Sequence, residues 1–347
     1  MKLGITGLAG AGKTTIFEAM TRNSGDPGHK GENRIGTIRV PDTRVDILSN
    51  MYSPRKTIHA QVEYFLPGYV REKNRSQNIW TPVRDCDALI HVVRNFGGYG
   101  FETPAPYEDF IKLEQELVLA DQMVVEKRLE RLEMDKKRGN APHGDEPALL
   151  NECLQHLEDE KSLRNFPNLA SAHSLRGYAF VSGKPVLVLF NNEDDDDRLP
   201  DFPFDLKEDR EETWEDFMVI RGKLEQELAQ MSEEEAADFL AEFNIRASAT
   251  DRVIKRSYEL LGLISFFTVG KDEVRAWTIR KNTQAHDAAE VIHSDIKKGF
   301  IRAEVLSYDD LRDAGTYPEA RKKGTVRLEG KTYEVRDGDI INFRFNV

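Results

Sequence analysis

Apolar residues fall along this chain in two rhythms that divide it into different kinds of structure. Lys2-Leu3-Gly4-Ile5-Thr6 predicts a short strand running into a glycine-rich turn, and Thr14-Thr15-Ile16-Phe17-Glu18-Ala19-Met20 predicts the helix that follows. Residues 88–93 and 185–190 are nearly unbroken apolar runs, the pattern of strands buried on both faces of a parallel sheet. Residues 57–65 predict one further strand, and residues 22–36, rich in Gly, Asn, Asp and Pro, a long loop. The first part of the chain is therefore expected to be α/β, with a doubly wound sheet. Between the two apolar strands the rhythm changes. Phe110, Leu113, Leu117, Ala120 and Val124 follow helical spacing, and Val125, Leu129 and Leu132 continue a neighbouring stripe. Residues 139–145 interrupt it, and Leu149, Leu150, Cys153, Leu154 and Leu157 resume it, so an antiparallel two-helix hairpin is expected, with two ordinary surface helices as the alternative. Residues 214–261 read as mostly helical, with Ser232-Glu233-Glu234-Glu235 as a capping box before Phe239, Leu240 and Phe243. From Ile264 onward, short β-type runs at 275–280, 299–305, 325–328, 332–335 and 340–345, punctuated by Gly330 and Asp337-Gly338, predict a compact α+β module.

Composition narrows the function classes. A length of 347 residues suggests two or three domains, and 39% hydrophobic residues excludes a wholly disordered chain. No apolar run approaches the roughly 20 residues of a membrane-spanning helix, and Met1 to Thr6 carries no secretory h-region, so a soluble cytoplasmic protein without a membrane partner is expected. Cys86 and Cys153 are too few for a disulfide scaffold or a Cys-built zinc site, and the eight histidines show no paired ligand spacing. The net charge of -12 argues against coating nucleic acid by bulk charge. The acid is uneven, however: residues 266–347 are net +1, and residues 1–265 are net -13. Lys297-Lys298 and Arg321-Lys322-Lys323 in that tail are either RNA-phosphate contacts or ordinary surface cations.

The strongest chemical signal is Gly7-Leu8-Ala9-Gly10-Ala11-Gly12-Lys13-Thr14, which fits G-x-x-x-x-G-K-[ST] between a strand and a helix. Such glycines let backbone N–H groups converge on phosphate, and the helix N-terminus adds a favourable dipole. Gly7, Gly10, Ala11, Gly12, Lys13, Thr14 and Thr15 are the candidate phosphate-binding residues, with Lys13 reaching the β and γ phosphates and the Thr14 hydroxyl ligating Mg²⁺. The competing possibility is a glycine turn with no ligand. A nucleotide base would be read elsewhere. Asn191-Asn192-Glu193-Asp194, directly after a strand, keeps the Asn and acid of the guanine-reading Asn-Lys-x-Asp but lacks its Lys, so Asn191 and Asp194 are candidate base contacts without guanine selectivity. Asp194 is also one of four successive aspartates that suit a solvated loop. His91, inside an apolar strand, suits a satisfied core residue better than a catalytic one.

Over most of its length the chain resembles the YchF or Obg-like ATPase family of translation-associated P-loop proteins. The resemblance is carried by the P-loop, the long insertion and above all the tail: Asp251-Arg252-Val253-Ile254-Lys255, Tyr258-Glu259-Leu260-Leu261-Gly262, Gly299-Phe300-Ile301-Arg302-Ala303-Glu304-Val305 and Phe343-Arg344-Phe345-Asn346-Val347. Val40-Pro41-Asp42, Leu119-Ala120-Asp121 and the run 125–132 extend it. It implies a Ras-like P-loop domain at 1–107 and 165–264, a helical coiled-coil insertion at 108–164 and a C-terminal TGS domain of β-grasp type at 265–347. It also implies Mg²⁺-dependent hydrolysis of ATP or GTP, and ribosome or RNA contact through the helical and TGS parts.

Departures from the family fall where the chemistry happens. The family's Asp-x-Ala-Gly, whose Asp holds Mg²⁺ through water, is replaced by Phe65-Leu66-Pro67-Gly68. Glu63 is one candidate substitute, with a plain edge or surface residue as the other reading. The segment 71–78 is shorter than the family's mobile loop, and 29–33 offers no counterpart of its first-switch Thr. Tyr69 falls where family members carry a hydrophobic residue in place of a catalytic Gln. Two functions stay open: a nucleotide-dependent switch with slow turnover, favouring ATP over GTP, and a non-hydrolysing interaction module whose P-loop binds nucleotide for stability alone.

Overall fold

A computed structural model describes residues 1–22, 31–68, 80–98, 102–139, 144–201, 215–242 and 248–346. In chain order the strands are β1 (Lys2–Thr6), β2 (Arg34–Arg39), β3 (Lys56–Ile58), β4 (Gln61–Leu66), β5 (Ala88–Asn95), β6 (Val186–Asn192), β7 (Glu215–Ile220), β8 (Leu263–Val269), β9 (Glu273–Arg280), β10 (Phe300–Ser307), β11 (Arg327–Glu329) and β12 (Asp339–Phe345). The α-helices are α1 (Lys13–Thr21), α2 (Thr43–Tyr52), α3 (Pro106–Lys137), α4 (Glu146–Glu158), α5 (Pro167–Ala170), α6 (Gly222–Gln230), α7 (Glu233–Glu242), α8 (Ala249–Leu260), α9 (Ala285–Ile292), α10 (Ser294–Lys298), α11 (Tyr308–Ala314) and α12 (Tyr317–Lys322). They form two compact units, Met1–Ile38 with Glu63–Val253, and Arg39–Val62 with Ile254–Val347. No helix of the described residues is long and apolar enough to cross a membrane.

The first unit is built on a six-stranded sheet of order β2-β4-β1-β5-β6-β7. β1, β4, β5, β6 and β7 run parallel, which puts their C-terminal ends along one edge. All seven residues of β6 and the first six of β5 are buried, as their apolar runs require of central strands covered on both faces. The hairpin is present. The stripe on α3 changes partner along its length: Phe110, Leu113 and Leu117 pack against the sheet residues Val93, Val186 and Phe190. Further out, Val118, Val125 and Leu132 meet Leu150, Cys153 and Leu157 of α4. Arg128 clasps Glu146 through two hydrogen bonds of 3.0 Å, fixing the register of the antiparallel pair.

The second unit has a sheet of order β11-β10-β12-β8-β9-β3. Its core sets Ala285, Ala288 and Ala289 of α9 against Phe266, Val305, Ile341 and Phe343. The small side chains let the helix lie close to the sheet.

Three sequence expectations differ from this structure. Residues 57–65 are two strands: β3 pairs with β9 in the second unit, and β4 with β1 in the first. The chain passes between sheets at His59-Ala60, and β-type residue content carries no information about which sheet a strand joins. Residues 215–220, read as helical, form β7, whose register with β6 runs from Val186↔Glu215 to Asn191↔Ile220. Residues 332–335 form a turn held by one isolated bridge, Gln284↔Glu334. The expected α/β class is what the chain adopts, in two compact units, the second of which takes in Arg39–Val62 as well as the C-terminal residues. Asn140 to His143, Phe243 and Val347 lie outside the described residues.

Candidate nucleotide-binding site

The glycine-rich loop follows the C-terminal end of β1, with β4 on one side of that strand and β5 on the other. In open parallel sheets this edge is where ligands bind. Two glycines are dictated by close approach. A Cβ on Gly7, whose φ is +146°, would lie 2.3 Å from the Val92 carbonyl oxygen. One on Gly12, at φ +92°, would lie 2.3 Å from Asn191 Nδ2. Both positions combine a conformation L-residues avoid with no room for a side chain. Gly10 also takes positive φ, at +80°. Gly12 is the N-cap of α1 and supplies no side-chain cap, so no side chain competes for the first N–H groups of the helix. Lys13 Nζ donates to the carbonyls of Gly7 (2.8 Å) and Leu8 (2.7 Å), which folds the ammonium over the loop. Burial lowers its pKa from the ordinary lysine value. Thr14 is exposed at the second position of α1, and Thr15, half-buried, follows it. Gly7, Gly10, Ala11 and Gly12 thus form the turn after β1, and Lys13, Thr14 and Thr15 open the helix that follows it, with the Lys13 ammonium folded back over the turn.

Asn191 and Asp194 join this turn in different ways. Asn191 is buried; its Nδ2 donates to Ala11 O (3.1 Å) and its Oδ1 accepts from Gly222 N–H (2.9 Å). The amide is a strut between the P-loop and the start of α6. Asp194 is exposed and accepts from Leu224 N–H at 3.2 Å through Oδ1. Neighbouring bonds knit the same edge: Glu193 Oε1 accepts from Gly97 N–H (2.6 Å), and Asn95 Nδ2 donates to Asn192 Oδ1 (3.0 Å). Residues 221–224 were missed from the sequence because their surroundings were read as one long helix. The signal available was Gly222, two residues after the apolar pair Val219-Ile220 that closes a short β-type run.

Glu63 does not replace the missing Mg²⁺-holding Asp. Its register partner is Lys2, at the far end of β1, about 13 Å along the strand from Thr6. Phe65 stands three residues before Gly68, and its ring is buried in the apolar cluster with Val83, Cys86 and Leu89. No group of three or more His, Cys, Asp or Glu side chains placed to hold a metal occurs among the described residues. Thr14, exposed in the first turn of α1, offers a hydroxyl next to Lys13. Gly68 N–H, on the loop after β4, donates to Asn33 Oδ1 at 2.9 Å. This contact between the two regions that diverge from the family was invisible to motif reading, since Asn33 belongs to no motif. His29, Lys30, Tyr69 and the segment 71–78 lie outside the described residues.

Known proteins resemble the chain over its whole length. It is 34% identical to a "Ribosome-binding ATPase YchF" of Bacillus subtilis, over 99% of both chains. It is also 34% identical to the protein of that name from Haemophilus ducreyi, over 100% of this chain and 99% of the other. The chain belongs to the YchF family. The YchF-GTPase_C model, described as a protein of unknown function (DUF933), matches residues 263–346. The structure of the Schizosaccharomyces pombe YchF GTPase superposes with a TM-score of 0.79 at 26% identity, covering 99% of this chain and 97% of that one. The YchF fold is thus retained even where the Mg²⁺-holding Asp of the resemblance is a phenylalanine.

Proposed function

We propose that this chain is a nucleotide-dependent switch protein that binds ATP in preference to GTP at the P-loop, with Mg²⁺, hydrolyses it slowly, and acts on the ribosome in the cytoplasm. The observation that carries this reading is the loop itself: Gly7 and Gly12 admit no side chain, Lys13 is folded over two loop carbonyls, and no side chain caps α1. Gly7, Gly10, Ala11, Gly12, Lys13, Thr14 and Thr15 would surround the phosphates, and Thr14 would hold Mg²⁺, which supplies charge neutralisation on the β and γ oxygens when bound. Asp194, exposed and positioned by the start of α6, is the base-side carboxylate, with Asn191 supporting it from the P-loop side. The absence of a Lys between them supports adenine over guanine.

Slow turnover follows from the positions that sense phosphate. Phosphoryl transfer depends on positioning water and stabilising charge, and Phe65 brings neither to the place where the family has its Asp. The relatives' name, ribosome-binding ATPase, supports the ribosome as partner, with the helical part 108–164 and the TGS part 265–347 as the contacting regions and 1–107 with 165–264 as the nucleotide part. A single-turnover hydrolysis assay with and without ribosomes tests the reading. Slow cleavage of bound ATP that ribosomes accelerate is expected. Rapid intrinsic cleavage that Lys13→Ala abolishes would overturn the slow-switch version, and binding without any cleavage in either condition would favour a non-hydrolysing module.

A further inference from the structure

We infer that Thr6, His91, Glu114 and Arg164 form a buried positioning relay that couples the P-loop to the base of the helical insertion, an inference that rests on nucleotide binding at the P-loop. Thr6 is the last residue of β1 and directly precedes Gly7. With the His91 proton on Nε2, facing Glu114, the Thr6 hydroxyl has one proton and two acceptors, the Ile90 carbonyl at 3.1 Å and His91 Nδ1 at 2.5 Å. The opposite nitrogen, His91 Nε2, lies 3.3 Å from Glu114 Oε1 on α3. Neither of these two buried atoms has a hydrogen-bond partner among the described residues, so each is left to the other at ion-pair distance. Glu114 Oε2 accepts from Ser162 Oγ (2.7 Å) and Arg164 Nη1 (2.6 Å), where the chain returns from the hairpin. Arg164, 1% exposed, also donates from Nε to Lys184 O at 3.0 Å. One carboxylate therefore ties the outgoing helix to the returning chain with one oxygen and faces the histidine with the other.

A purely structural role is a poor explanation for so many buried polar groups, because apolar residues of similar volume hold a core at least as well. What the arrangement provides is two settings. With Glu114 close to Nε2–H, the imidazole is polarised and Nδ1 becomes a stronger acceptor, which draws the Thr6 hydroxyl towards it. When the base of α3 shifts and Glu114 withdraws, the hydroxyl turns to Ile90 O. No proton is transferred and no covalent bond changes; only the hydroxyl reorients. The consequence reaches the phosphate loop because Gly7 follows Thr6 and is wedged against Val92 O, the β5 residue next to His91. An element with two discrete arrangements, biased from both ends, is the physical requirement for coupling, and such coupling acts equally in both directions.

Hydrogen exchange of the full chain, with and without ATP and Mg²⁺, tests this. Nucleotide is expected to slow exchange in α1 and also to change exchange at 108–120 and 160–166. In Thr6→Val the change at the two insertion segments is expected to fall by about fivefold or more while α1 remains protected, and Thr6→Ser, which keeps the hydroxyl, restores it. Ser162→Ala, which loosens Glu114 from the other end, is expected to alter ATP affinity by a factor of about five or more, and gives a second readout should Thr6→Val not fold. Protection of α1 with no change at 108–120 and 160–166 in the wild-type chain would overturn the relay and leave the nucleotide site standing. No protection of α1 would remove both. Unchanged ATP affinity in Ser162→Ala, or an undiminished response in Thr6→Val, would reduce the four residues to core packing.

Discussion

Replacing Glu114 by leucine would leave the Arg164 guanidinium, 1% exposed, without the carboxylate that it meets at 2.6 Å. Removing one partner of a buried pair costs about 3–5 kcal/mol, because the surviving charge stays desolvated. Arg164 keeps the Lys184 carbonyl at 3.0 Å and Glu215 at 3.7 Å, which points to the lower end, about 3 kcal/mol. In a unit of this size each kcal/mol moves the melting temperature by roughly 2–4 °C, so a fall on the order of 10 °C is expected. Glu114→Leu combined with Arg164→Met removes both charges and is expected to recover most of that loss, since an apolar replacement of a buried pair is often neutral or better. Differential scanning calorimetry of the wild type, both single variants and the double variant forms a complete cycle. A loss below about 1 kcal/mol in the single variants, or a double variant whose loss equals their sum, would refute the pairing argument.

Acidification is expected to destabilise the first unit in two stages. Burial holds the His91 pKa below its ordinary value, so the unfolded chain binds more protons there, and stability falls as pH drops through about 6.5. Burial alone would raise Glu114, but the Arg164 charge, with His91, outweighs it and holds the carboxyl well below the usual range. Its contribution is present above about pH 4.3 and is lost on further acidification. Urea titrations at several pH values check this, and the first stage should be missing in His91→Gln; stability that increased from pH 7 to 5 would contradict it. Gly12→Ala drives a methyl into Asn191 Nδ2 at 2.3 Å, so ATP affinity measured by calorimetry is expected to fall by about tenfold or more while the circular dichroism spectrum is kept. Glu225, 2% exposed, accepts from Ala249 N–H (2.7 Å), Thr250 N–H (3.0 Å) and Thr250 Oγ1 (2.8 Å). Glu225→Ala removes this cap from α8 and is expected to cost about 2 kcal/mol in urea denaturation.

The sheet of the first unit was legible where its strands are buried on both faces, because β5 and β6 are continuous apolar runs. It was illegible at its edges. β2 alternates between half-buried and exposed residues and starts inside the 22–36 stretch that reads as loop, and β7 begins with charged residues that suit a helix equally well. The glycine-rich turn was readable in the sequence, since Gly7 and Gly12 are local requirements of backbone geometry. The surroundings of Asn191 and Asp194 were only half readable: their spacing was visible, but their partners Ala11, Gly222 and Leu224 depend on how β6, β7 and α6 are placed. His91 illustrates the limit most clearly. A histidine in an apolar strand reads as a satisfied core residue, and it is buried, yet its partners Thr6 and Glu114 come from a different strand and from the insertion, and no spacing in the sequence announces them.

The central claim, that the Gly7 to Thr15 turn binds nucleoside triphosphate, is tested most directly by the melting temperature of the full chain with ATP and Mg²⁺, in the wild type and in Lys13→Ala. At a ligand concentration of 100 times Kd, binding to the folded state alone contributes about 2.7 kcal/mol, a rise of roughly 5–10 °C. That rise is expected in the wild type, larger with ATP than with GTP at equal concentration, and is expected to vanish in Lys13→Ala. No rise in the wild type, or the same rise in Lys13→Ala, would contradict the claim.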